Sequence, residues 1–101
     1  MSRREKIEAM LADDPSDVFL RYSLAMELDK EGDHDESLSR LVELSREEQA
    51  YVRAFLIMGQ QLTRRERTSD AQAVLRDGIE EARKQGNTHA AGEMSEFLAS
   101  L

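Results

Sequence analysis

The eight residues "RYSLAMEL" (21–28) return in altered form as "FLIMGQQL" (55–62), and no other feature of the chain restricts its fold as tightly. Arg21, Leu24, Ala25 and Leu28 are matched 34 residues later by Phe55, Met58, Gly59 and Leu62. The same step carries Ser37, Leu41 and Leu44 onto Ala71, Leu75 and Gly78. Both copies read large, two residues, large-small, two residues, large, and then small, three residues, large. Spacings of three and four place such residues on one face of a helix, so each copy reads as a helical hairpin. A fixed period of this length is the mark of stacked supersecondary units, none of which can bury its apolar face alone.

Composition agrees with an all-helical chain. There is one proline, and good helix formers dominate. At 101 residues, 40% hydrophobic and 35% charged, the chain is expected to form one soluble domain with a modest core. No apolar run approaches the roughly 20 residues of a membrane helix, and "MSRREKIEAM" is too charged for a secretory signal. The expectation is a cytoplasmic protein with no membrane partner. Without cysteine there is no disulfide, thiolate nucleophile or thiolate metal site. The net charge of -7 is uneven: residues 1–51 hold fourteen acids and seven bases, residues 52–101 seven of each. This acidity argues against a nucleic-acid partner, whose affinity comes from neutralising phosphates.

The 34-residue period and the large-small pairs "LA" and "MG" resemble the tetratricopeptide repeat (TPR) family. "EGDHDES" is similar to that family's inter-helix turn, and Pro15 stands where a preceding repeat would end. Arg21 replaces the opening aromatic, Glu66 replaces the turn glycine, and no proline closes the first repeat near Gln49. The resemblance implies an all-α, TPR-like right-handed superhelix of antiparallel helical hairpins, about six helices in all. The expected divisions are an N-terminal half-repeat helix (1–14), repeat 1 (17–50), repeat 2 (51–86) and a C-terminal capping helix (88–101). The first helix should bury Ile7, Met10 and Leu11, the last Ala91, Met94, Ser95 and Leu98. Helix starts are expected at Asp14–Asp17, at Asp33 with Glu36 as a capping-box-like pair, at Ser45 with Glu48, and at Thr68. Gly86-Asn87 reads as a stop.

No pattern of catalytic chemistry is present. "DKEGDHDESL" (29–38) crowds five carboxylates and a histidine, but Gly32 precedes Asp33 and Asp35 instead of following them, so it is not a calcium loop. It reads as a turn in which Gly32 ends one helix and Asp33 opens the next. His34 and His89 lie on different elements without metal-ligand spacing, and no nucleophile elbow, P-loop or dinucleotide fingerprint occurs. The expectation is a non-enzymatic protein without a cofactor.

Function must then reside in a surface. Resemblance to the family implies that one stripe of each first helix lines a concave groove. Beside a core of Leu20, Leu24, Ala25 and Leu28, that stripe is Phe19, Tyr22, Met26 and Lys30 in the first repeat. In the second it is Arg53, Leu56, Gln60 and Arg64, and the final helix would add His89, Gly92 and Glu96. Such a stripe suits a protein or peptide partner: a short apolar segment carrying one acidic group, held by Arg53 or Arg64. It does not reproduce the lysine and asparagine clamp with which known family members hold a C-terminal carboxylate. Two readings follow, an adaptor or scaffold that binds a peptide in its groove, and a structural module whose stripe closes a homodimer or an internal contact.

Overall fold

The computed structural model describes all of residues 1–101 as six helices without a strand. They are α1 (Arg3–Asp13), α2 (Val18–Lys30), α3 (His34–Ser45), α4 (Val52–Arg64), α5 (Thr68–Lys84) and α6 (Thr88–Ser100). Each packs against its neighbours in sequence, and α4 also touches α6. The molecule measures 41 × 30 × 18 Å; 18 Å is about two helix diameters, as expected for stacked hairpins two layers deep.

Three of the connections are one device used repeatedly. After α2, α4 and α5 the chain turns through three residues whose middle member has positive φ: Gly32 (92°), Glu66 (61°) and Gly86 (75°). In each case the next N–H reaches back to a carbonyl five residues earlier: Asp33 to Leu28, Arg67 to Leu62 and Asn87 to Ala82, at 2.9, 2.9 and 2.7 Å. This is the Schellman closure, which satisfies carbonyls that a helix end leaves unpaired. Gly32 and Glu66 stand 34 residues apart, so the repeat extends to the backbone of its turns.

The repeated positions form the core. Leu24, Ala25, Leu28, Ser37, Leu41 and Leu44 are buried, as are Phe55, Met58, Gly59, Leu62, Ala71, Leu75 and Gly78. The small residues sit where helices approach closely. A methyl group on Gly59 would lie 2.7 Å from Leu75 Cδ2, and one on Gly78 2.5 Å from Phe55 Cβ. Ser37 fastens three helices: its hydroxyl donates to the Ala25 carbonyl of α2 at 2.6 Å and accepts from Gln61 Nε2 of α4 at 3.0 Å. Helix α1 stands apart, with Ile7 joining Leu24 and Leu28 in a small cluster flanked by Leu11.

Several local expectations are corrected. Ser45 does not open a helix; it closes α3, donates to the Val42 carbonyl, and α4 begins only at Val52. Burial of Leu44 carries α3 to that point, and the Tyr51 N–H caps the Leu44 carbonyl. Asp33 occupies the N-cap of α3, but its side chain accepts no cap bond, and Glu36 turns to Arg40 instead. Asn87 does more than stop α5: its N–H closes that helix on the Ala82 carbonyl, and its side chain caps α6, accepting from the Ala90 N–H at 3.1 Å. Met10 faces solvent, while Ile7 and Leu11 turn toward Leu24 and Leu28 of α2. A true capping box, Ser2 with Glu5, starts α1 instead.

Candidate functional site

The expected stripe residues lie on α2 and α4, and the structure divides them by burial. Phe19 is 65% exposed, Tyr22 and Met26 are half-buried against the main core, and Leu56 is only 5% exposed. Lys30, Arg53, Gln60 and Arg64 are exposed. Leu56 is therefore a floor and not a free wall. Together with Val52 and Met94 it underlies a depression of about 260 Å³ between α4 and α6, whose rim carries Arg53, Asn87, His89 and Glu93. That volume lies below the 300–1,000 Å³ of small-molecule sites and has room for about one side chain. His89, Gly92 and Glu96 share a shallower adjoining hollow with Thr88 and Glu93.

The two arginines are unlike. Arg64 Nη2 donates to Asp29 Oδ2 at 2.9 Å, across from α4 to α2. His34 Nδ1 donates to the other oxygen, Oδ1, at 2.7 Å. Burial pushes the Asp29 carboxyl up, but the hydrogen bonds from His34 and Arg64 and the positive charge beside it prevail. The group sits below its ordinary range. Arg64 is thus committed within the molecule, while Arg53 makes no ion pair and stands free at the rim.

Aromatic packing joins the two repeats on this side. The Tyr22 and Tyr51 rings lie 5.2 Å apart at 47°, within the usual range for an aromatic pair. Burial, then the Tyr22 phenol, holds the Tyr51 phenol above its ordinary range against the opposing pull of Arg53. Sequence reasoning overlooked Tyr51, Asn87 and Glu93. Tyr51 is the N-cap position of α4, in a link that the sequence does not punctuate, Asn87 is the cap of α6, and Glu93 stands beside the expected Gly92, so none of them falls on a stripe position.

No family profile matches the chain, and no curated protein matches it. Solved structures do. The chain is 31% identical to a tetratricopeptide repeat domain protein from Salinibacter ruber, over 85% of this chain and 87% of that one, with a TM-score of 0.80. A protein from Bordetella parapertussis shares the fold at a TM-score of 0.82 and 23% identity, over 99% of this chain and 87% of that one. The repeat spacing, the six stacked helices and this similarity lead to one conclusion: the chain belongs to the tetratricopeptide repeat family.

Proposed function

We propose that this protein is a non-enzymatic, cytoplasmic interaction module that holds a short segment of another protein along α2, α4 and α6. The family's fold serves protein interaction in general; the groove and its contents are the more specific reading. One observation carries it: an unpaired arginine, Arg53, borders an apolar-floored hollow of residue size. An apolar side chain fits over Leu56, and a neighbouring carboxylate is taken by Arg53 through a charge-assisted hydrogen bond. Tyr22 and Met26 extend the apolar path, with Phe19 at its mouth and Gln60 and Lys30 on its border.

Affinity capture from the native host with wild type and Met26→Glu side by side tests this. Met26 is half-buried beside α2's filled core positions, so the variant should melt within about 1 kcal/mol of wild type and lose the captured protein. Undiminished capture by Met26→Glu would sink the reading. The homodimer alternative makes its own demand, a stable dimer in light scattering at micromolar concentration.

A further inference from the structure

In the whole chain four large apolar side chains are exposed: Met1, Met10, Val18 and Phe19. Three of them bracket one link, the Asp14–Asp17 connection between α1 and α2. Scattered exposed apolar residues need no explanation; gathered ones do. The Arg3 Nε–Glu27 Oε2 ion pair, at 3.2 Å, marks one edge of the α1–α2 seam. Met10 lies seven residues after Arg3 on the same face of α1, and Phe19, Ser23 and Glu27 form an i, i+4 row on α2. Met10, 48% exposed, and Phe19 therefore stand along the same edge of the seam, at its turn end. Val18 carries the apolar surface round the start of α2 toward a hollow lined by Ala50, Tyr51 and Val52.

Carboxylates surround this corner, and no ion pair within the molecule neutralises them. Asp13, Asp14 and Asp17 make no ion pair, while Arg3, Arg4 and Arg21 are committed to Glu27, Glu31 and Glu47. We infer that the corner is a second docking surface, for a cationic apolar segment of another protein. Leucine or phenylalanine side chains of that segment cover Met10 and Phe19, and its lysines or arginines face Asp13 and Asp14.

A second copy docked corner to corner does not fit. Residues 1–51 carry the whole net charge of -7, so like corners repel one another. The one strongly basic run is consumed internally, Arg64 by Asp29, Arg65 by Asp35 and Arg67 by Asp70. The apolar area of two or three side chains is a few hundred Å². That falls short of the roughly 1,200 Å² of a stable interface, so the contact is transient and sensitive to salt. The surface meets the groove at Phe19, but Met10, Asp13 and Asp14 lie outside the α2–α4–α6 stripe, so their response reports on this corner alone.

The test is an NMR titration of the isotopically labelled full chain with two blocked probe peptides. One mixes leucine and phenylalanine with lysine; the other carries glutamate in place of each lysine. The lysine peptide should shift the amides of Met10, Asp13, Asp14 and Phe19, and bind at least about three-fold more weakly in high salt, as screening requires. The glutamate peptide should leave them unmoved. The double variant Asp13→Asn with Asp14→Asn should keep its melting temperature and lose affinity about five-fold or more, the equivalent of two exposed charge contacts. Equal response to both peptides, shifts elsewhere with this corner silent, or unchanged affinity in the double variant overturns the proposal. Corner resonances that move with protein concentration alone also overturn it, by making a second copy the occupant.

Discussion

Glu66 takes a backbone conformation that its repeat counterpart, Gly32, adopts without strain. At φ 61° a side chain crowds the following carbonyl, which costs about 1–2 kcal/mol, partly offset by the greater freedom glycine loses on folding. Glu66→Gly should therefore stabilise the chain by about 0.5–1 kcal/mol in urea unfolding, and Glu66→Val should destabilise it. Gln61 poses a different problem, for it is 2% exposed and its Oε1 has no partner. The Ser37 hydroxyl is spent on the Ala25 carbonyl, so only the Gln61 amide nitrogen can face it. Gln61→Leu removes the orphaned oxygen and leaves Ser37 satisfied, and should be neutral or stabilising. Ser37→Val strands the Gln61 amide and should cost about 1–3 kcal/mol. Asp29 makes stability depend on pH. Its folded value lies below the unfolded one near 3.9, so its contribution is full above that pH and fades as pH falls through the folded value. The stability gap between wild type and Asp29→Asn should narrow in acid, and a constant gap would show that the pairs with His34 and Arg64 do not act through this charge. The glycine missing at position 66 was visible in the sequence. Gln61's burial was not, because glutamine in a helix ordinarily faces water.

Among the elements, α1 is the weakest member of the stack. Its one buried residue is Ile7, and its ion pairs Arg3–Glu27 and Arg4–Glu31 leave at least one side chain exposed to water, where such pairs contribute little. In hydrogen exchange the α1 amides should open by local release, well before those of α4 and α5. Ile7→Ala should make them exchange at nearly unfolded rates while the amides of α4 keep their protection. Simultaneous loss in both helices would mean that α1 is integral to the cooperative unit. Helix existence was legible throughout, because the 34-residue pattern marks both members of each hairpin. Boundaries were less so around residues 45–51: neither glycine nor proline punctuates that link, and Ser45 can serve equally as a cap or as a last helical residue bonding backward to Val42. The extra turn of α5, 17 residues against 12 in α3, shifts α6 by two and blurs the final copy of the pattern.

For the whole molecule, stacking leaves α2, α4 and α6 side by side with an arginine and an apolar hollow between the last two. Period and residue type were enough to place these helices in one layer and Arg53 on its exposed surface. The burial of Leu56 and the pairing of Arg64 with Asp29 were not legible, because they depend on contacts between repeats that no single helix pattern contains. The claim on which the functional account depends is that the partner lies against this layer and not on the outer helices. Hydrogen-exchange footprinting of the complex with a captured partner reads that directly. The account predicts slowed exchange in α2, α4 and α6 with α3 and α5 unchanged; slowed exchange confined to α3 and α5 would contradict it.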